Sequence, residues 1–244
     1  MTTYRVGLTL RDGAIDGWVF DLPGCRAIGL SVAEAVDLLP VAIAEHLAWL
    51  KGHDESVPDP DSFDFEVIEE VESNGEFCFA ADAEPLTRDE VDTAIRRMGY
   101  SLADIIAISE PLPQRLLEWR PPGTSVRADE RVPDPRTIRE MLEHAAGAET
   151  HFLRNIIEPA PSGPSAVAGF VAARAASLAH FAALDLAASG NVVTRQGPRG
   201  EAGWSARKVL RRIINHQRFH TREVQQRLCW LALGVPEVIP ASRE

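Results

Sequence analysis

Two histidines four residues apart, His216 and His220, have the residue type and spacing that point most directly to chemistry. In a helix, residues at this spacing lie on one face, about one turn from each other. Two imidazoles placed in this way can hold one metal ion, each through one ring nitrogen. The other interpretation is that both are partly buried histidines that hydrogen-bond to their neighbours. An isolated His-x-x-x-His pair does not decide between the two.

The element that must position these histidines is a long helix predicted over about 206–233. Apolar residues recur along it at helical spacing and form one stripe beside the histidine face, consisting of Val209, Leu210, Ile213, Ile214, Val224, Leu228 and Leu231. Ser205 is expected to cap the start of the helix, and Gly234 to end it. We therefore expect both histidines to lie at the edge of a buried surface.

Length and composition indicate an ordinary globular protein of two domains. The chain has 244 residues, of which 45% are hydrophobic and 25% charged. No stretch approaches the ~18 apolar residues of a membrane span, and the first residues do not resemble a signal peptide. Cys25, Cys78 and Cys229 are odd in number and follow no motif spacing. We expect a reduced, cytoplasmic protein without a membrane partner.

Charge divides the chain in two. Residues 1–85 carry 4 Lys and Arg against 18 Asp and Glu, a net charge of −14, whereas residues 86–244 carry 21 against 18, a net of +3. The second part is rich in Ala, Arg and Leu and is predicted to be nearly all helix. We predict a first domain over 1–72, a linker over 73–85 and a helical domain over 86–244. Because an acidic domain repels phosphates, we expect no nucleic-acid partner.

The first domain is predicted to be α+β. Strands are expected at 4–10, 17–20 and 26–30, an edge strand with its charges in solvent at 64–71, and one more short strand at 77–80. Ser31 and Glu34 have the spacing of a capping box, which opens a helix to about Leu50. Pro40 lies inside this helix and is expected to kink or loosen it.

Residues 17–50, GWVFDLPGCRAIGLSVAEAVDLLPVAIAEHLAWL, contain an Asp-Leu-Pro-Gly-Cys turn followed by a Ser-capped helix. This pattern resembles HicB-like antitoxin domains, and the resemblance covers about residues 3–72. It implies a small β-β-β-α-β fold that binds a protein partner. The alternative is an accessory domain that only packs or dimerises. The DNA-binding module that often follows such domains is not found in this sequence, so the resemblance does not imply repressor function.

Four amphipathic helices are predicted in the second domain. Thr87 with Glu90, and Thr137 with Glu140, have capping-box spacing and open helices to about 109 and 156. The third and fourth helices are predicted over 165–188 and 206–233. Helices of this length favour a four-helix bundle, in which inward-facing side chains can build a metal site. His144 lies on the second of these helices, at the edge of its apolar stripe.

Four segments in order, 117–121, 141–149, 204–210 and 215–220, resemble the DinB-like superfamily. This superfamily includes thiol-dependent S-transferases and mycothiol-dependent maleylpyruvate isomerase, and the resemblance covers about residues 86–233. It implies an all-α four-helix bundle that holds a divalent metal. By position, the implied metal ligands are His144, His216 and His220.

Three neutral imidazoles leave coordination positions open, as in catalytic rather than structural metal sites. Zinc and nickel both suit imidazole. Cys229 is expected half a turn away from His220, so a reacting thiol should come from a small cosubstrate. We favour thiol transfer over metal-assisted hydrolysis of a small-molecule substrate, and we assign no catalytic residue. The alternative is a non-catalytic stress-related or regulatory protein, in which the HicB-like domain binds a partner and the bundle binds metal.

Most of the other histidines and charged residues are expected to have structural roles. His151 could line the same pocket because it follows His144 by seven residues, whereas His180 has no partner spacing and is expected in the core or at the surface. His46 and His53 belong to the first domain. Glu149 is expected to be structural and Glu223 to face solvent. Arg218 and Arg222 are expected to be surface residues, with contacts to an anion as the alternative.

Overall fold

In the first part of the chain, the alternating apolar residues form three strands, followed by a helix and a fourth strand. The computed structural model describes residues 2–11, 13–59, 62–73, 76–120, 137–157, 167–197 and 200–234. The elements are β1 (Thr2–Arg11), β2 (Ala14–Val19), β3 (Arg26–Gly29), α1 (Val32–Gly52) and β4 (Phe63–Glu72). Within the described residues the sheet order is β3-β2-β1-β4, with β1 parallel to β4 and the other pairs antiparallel. The predicted α+β class and the order of the first three strands, the helix and the fourth strand are confirmed.

Helix α1 covers one face of this sheet. Leu39, Ile43 and Leu47 are fully buried in a cluster with Val6 and Leu8 of β1. At its start, Ser31 caps the helix as predicted, since its side chain accepts a hydrogen bond from the backbone N of Glu34 at 3.2 Å. The helix continues through the exposed Pro40 to Gly52.

Strand β4 is an edge strand in the described part of the chain, as predicted. Its side chains alternate between half-buried and exposed positions, and most of the exposed ones are acidic: Asp64, Glu66, Glu70 and Glu72. Phe65 and Val67 point the other way and pack against the core of the first unit.

The strand predicted at 77–80 is wrong. The chain there has no strand hydrogen bonds and leads into a 3₁₀ helix, Ala80–Ala83. The backbone N of Phe79 donates to the Asp82 carboxylate at 3.0 Å, and that of Ala80 donates to Glu69 at 2.8 Å, so carboxylates replace a neighbouring strand as partners. The Phe79 ring packs edge-on against Phe20, with ring centroids 5.0 Å apart.

The second part of the chain is helical. Its elements are α2 (Arg88–Ser109), the short α3 (Gln114–Leu117), α4 (Ile138–Leu153), α5 (Val167–Ala182), β5 (Val193–Gly197), β6 (Gly200–Trp204) and α6 (Ala206–Ala232). Helices α2 and α4 each contact both α5 and α6. The capping boxes at Thr87 and Thr137 and the cap at Ser205 are confirmed. The hairpin β5–β6 was not predicted, and the third helix ends at Ala182 instead of about 188.

A buried polar network ties these four long helices together. Arg174 on α5 is 1% exposed and binds both carboxylate oxygens of Glu149 on α4, at 2.8 and 3.0 Å. The same guanidinium donates to the carbonyl of Met98 on α2 and to Gln217 on α6. Ser101 also donates to Gln217, at 2.7 Å. Glu149 is therefore structural, as predicted.

The two parts of the chain meet along α6. The turn at Gly24 lies against Ile214, and its carbonyl accepts from the Asn215 side chain at 3.2 Å. Arg211 binds both carboxylate oxygens of Asp82, at 2.8 and 2.7 Å, in a buried pair. These contacts do not test the predicted domain boundaries, which stay a prediction. In the described ranges, we find no helix with the length and apolar character needed to cross a membrane.

Candidate metal centre

Packing of α4 against α6 brings together the three histidines that the sequence singled out. The His144 ring lies 5.1 Å from the His216 ring and 5.1 Å from the His220 ring, and the latter two are 4.4 Å apart, measured between centroids. One ring nitrogen from each residue lies within 4.8 Å of the other two. The three residues thus form one cluster, contributed by two helices that are distant in sequence.

The cluster lies at the edge of the helical core. His220 is 3% exposed, whereas His144 and His216 are half-buried. The Nε2 atoms of His216 and His220 are 3.2 Å apart. The buried Phe152 ring stands edge-on to His216 with centroids 5.5 Å apart, so the cluster has an apolar wall on the α4 side. The site is therefore shielded from water on one side and accessible on another.

Glu223 belongs to this site, and the expectation that it faces solvent was wrong. One of its carboxylate oxygens is 2.7 Å from Nδ1 of His220, and its side chain is 30% exposed. The reason is geometric, since residues three apart on a helix are neighbours on its surface. The spacing of three residues between His220 and Glu223 could therefore have revealed this carboxylate.

The remaining histidines lie outside the cluster. His151 is exposed and its ring is 6.0 Å from the Trp204 ring, while His180 is half-buried on α5. The pKa of both imidazoles is lowered, chiefly because packed neighbours remove part of the water around each ring, although His151 still has much of its surface in solvent. His53 stacks on Tyr100 with centroids 4.3 Å apart.

The cysteines are not placed to act at the histidines. Cys25 is buried, and burial raises its pKa to about 12. Burial also raises the pKa of Cys78, to about 11. Thiols with raised pKa values are poor nucleophiles at neutral pH. Cys229 is exposed on α6, outside the cluster, which agrees with the sequence prediction.

Arg218 is not the surface residue that was expected. It is 8% exposed, its guanidinium lies 4.1 Å from the centroid of the Trp49 ring, and it donates a hydrogen bond to Nδ1 of His46. Burial lowers the Arg218 pKa to about 10, and burial, followed by the charge of Arg218, lowers the pKa of His46 well below its ordinary value. Arg222 is exposed and pairs with Glu45 at 2.9 Å, as expected for a surface residue.

The second part of the chain is a helical unit with a three-histidine cluster of the kind that can hold a divalent metal. The sequence model of the DinB superfamily matches residues 100–224, just over half of the chain and including all three histidines. The chain therefore belongs to the DinB superfamily. Neither the curated proteins nor the solved structures gave a match. The family match does not reach the first unit, whose HicB-like character stays a prediction.

Proposed function

We propose that this protein binds one divalent metal ion through His144, His216 and His220, inside a DinB-like four-helix bundle made by α2, α4, α5 and α6. The observation that carries the proposal is the convergence of three imidazoles from two helices, with ligand atoms within 4.8 Å of one another. The cluster lies within the segment that matches the superfamily. Zinc and nickel are the metals we favour, because both suit imidazole ligands.

The residues present fit such an ion. Nitrogen ligands about 2.0–2.1 Å from a tetrahedral ion are roughly 3.3 Å from each other, and the Nε2 atoms of His216 and His220 are 3.2 Å apart. Glu223 accepts a hydrogen bond from Nδ1–H of His220, which leaves the lone pair on Nε2, the atom that faces His216. A carboxylate on the outer nitrogen of a histidine is the usual partner of a metal ligand.

We further propose thiol transfer as the reaction, with metal-assisted hydrolysis as the runner-up. A divalent ion bound there would supply Lewis acidity, which favours the ionised form of a thiol or of water. A coordinated thiol is deprotonated outright, whereas metal-bound water ionises only near about pH 7 and gains more from a general base. Glu223 is already bonded to His220 and is therefore poorly placed to serve as that base. Because the described cysteines lie outside the cluster, the thiol should be a small cosubstrate.

Metal analysis of the purified full chain tests the ligand assignment. We expect about one divalent ion per chain, most of which is lost in the His216→Ala variant. His151→Ala is the matched control, because His151 lies on the same helix as His144 but outside the cluster, and it should keep the metal. Full metal content in the double variant His216→Ala, His220→Ala contradicts the assignment.

A cobalt-substituted sample tests the reaction class. Titration with low-molecular-weight thiols should produce a sulfur-to-metal charge-transfer absorption band that is absent in the His216→Ala, His220→Ala chain. If no thiol produces the band, and the protein hydrolyses a model ester or amide in a way that is lost in His144→Ala, hydrolysis replaces thiol transfer.

The second candidate is a non-catalytic regulatory protein whose HicB-like first unit binds a partner. It is favoured by the β-β-β-α-β order and by exposed apolar side chains on the outer side of that unit: Ile28, Leu30, Val32, Leu38 and Val41. This function predicts full metal content without turnover in thiol-transfer and hydrolysis screens. Turnover that disappears in His144→Ala argues for the enzyme.

A further inference from the structure

A small cleft lies away from the histidine cluster, between the sheet of the first unit and the N-terminal half of α6. Its lining includes Thr9 and Arg11 of β1, Trp18 of β2, Glu76, and Lys208 and Arg212 of α6. Both parts of the chain therefore contribute polar side chains to one concave surface. None of these residues has a role in the metal centre.

Positive charge is in excess around this cleft. In the described part of the chain, five cations share three carboxylates. Asp16 pairs with Arg11 and Arg26, Glu76 pairs with Lys208 and Arg212, and Asp82 pairs with Arg211. Lys208 is 1% exposed, so its charge is not dispersed by solvent. Among the described residues, two positive charges are therefore left without a carboxylate of their own.

Three buried polar atoms of the lining residues have no hydrogen-bond partner among the described residues. They are Oγ1 of Thr9, Nε of Arg11 and Nε of Arg212. Thr9 is itself only 1% exposed, on the face of β1 that lines the cleft. Buried polar groups are nearly always satisfied, so unmatched donors on one cleft indicate that water or a ligand with acceptor oxygens meets them there. All three atoms can donate to such an acceptor.

Trp18 holds the guanidinium groups in place. The guanidinium carbons of Arg211, Arg26 and Arg212 lie 4.6, 4.8 and 5.7 Å from the centroid of its buried ring. Arginines stacked on an aromatic ring lose little conformational freedom when they bind, and their planar forks match the oxygens of phosphate or carboxylate. The positive potential also acts on Glu76. Although burial raises its pKa, the charges of Arg212 and Lys208 hold that pKa at about 2.

We propose that this cleft is a binding site for one small oxyanionic group, a phosphate or a carboxylate, held by Arg212, Arg11 and the hydroxyl of Thr9. The shared chemistry is a compact group with several oxygen acceptors and a negative charge. The proposal does not depend on the metal centre, which uses other residues of α6.

Calorimetric titration of the full chain with inorganic phosphate, and separately with acetate, tests the site. We expect saturable binding of one anion per chain, and the tighter of the two ligands identifies the group. Arg212→Gln should weaken binding by about tenfold or more, because it removes a charge-assisted hydrogen bond. Thr9→Val should weaken it severalfold while keeping a β-branched side chain on β1. Arg222→Gln, with the same charge change on the same helix, should leave the affinity unchanged.

Phosphate can also bind a divalent metal, so the titration is repeated on the His216→Ala, His220→Ala chain, which should retain the anion. Circular dichroism of each variant establishes that it is folded, and if Arg212→Gln is not, Thr9→Val decides. The proposal is overturned if neither anion shows saturable binding. It is also overturned if the histidine variant loses the anion, or if Arg222→Gln weakens binding as much as Arg212→Gln does.

Discussion

Glu223 and His220 are joined by a contact of 2.7 Å between Oε2 and Nδ1, one turn apart on α6. The carboxylate fixes the ring orientation of the most buried histidine in the cluster. Because such carboxylates raise the basicity of a metal-ligating imidazole, we expect Glu223→Ala to lower metal affinity by about 10–100-fold. A competitive titration with a chromophoric chelator measures this. Glu223→Gln should lose less metal affinity, since an amide oxygen still accepts the hydrogen bond. Replacing the exposed Glu45 by Ala should leave the metal affinity unchanged.

The turn at Gly24 packs closely against Ile214 of α6. Gly24 has φ +94°, and a Cβ there would collide with Cγ2 of Ile214, two residues before His216. We expect Gly24→Ala to reduce the free energy of unfolding. Gly13→Ala is a matched control, because Gly13 has φ +78° and open space around its Cα. Both variants incur left-handed strain, so the collision should cost Gly24→Ala about 1–3 kcal/mol more in denaturant unfolding. Equal losses of unfolding free energy in the two variants would mean that Ile214 moves aside for the added methyl group at no cost.

The buried His46 predicts a pH dependence of stability. It is 0% exposed and its pKa in the folded protein is well below the ordinary value, because burial disfavours the charged imidazolium. The unfolded chain takes up a proton near pH 6.5, so stability is complete above that pH and falls as the pH decreases below it. The slope should be up to about 1.4 kcal/mol per pH unit for this group.

Denaturant unfolding between pH 7.5 and 5, on chelator-treated protein, measures the slope. The unfolding free energy of His46→Gln should depend less steeply on pH than that of the parent chain. Part of the slope should remain, because the pKa values of His151 and His180 are also lowered. Identical slopes in the two chains would mean that His46 does not titrate in this way.

The predicted boundary over 73–85 leads to a test by truncation. A fragment 84–244 should be helical by circular dichroism and should bind metal, because all three histidines lie on α4 and α6. It should be less stable than the full chain, since Arg211 loses its buried partner Asp82 and Arg218 loses Trp49. A fragment that is unfolded while the full chain is normal would show that the two parts share one core.

The features that could be predicted from sequence depend on local spacing. Ser31, Thr87, Thr137 and Ser205 all cap helices, because a cap is set by residues three apart. His216 and His220 are in the same situation, one turn apart on an amphipathic helix. His144 lies more than 70 residues before them. Its place in the cluster came from a family resemblance, and the spacing alone would not have located it.

The features that were missed depend on contacts between distant parts of the chain. Arg218 stands between Gln217 and Phe219, and nothing in this local sequence indicates that the packing of α1 against α6 buries it beside Trp49 and His46. The hairpin β5–β6 has polar and glycine residues instead of an alternating apolar pattern, so nothing in its periodicity indicated strands. Phe77–Phe79 has the composition of a strand, but it is held by packing of the Phe79 ring on Phe20 and by a backbone hydrogen bond to the Asp82 carboxylate.

Strand β4 carries a consequence for self-association. It is the long edge of the sheet in the described residues, and it presents Asp64, Glu66, Glu70 and Glu72 outward along its length. A second copy adding its own β4 would place carboxylates opposite carboxylates, which is unfavourable in neutral solution. Without this row of charges the edge is unguarded, and two copies can then pair β4 against β4 to form a dimer.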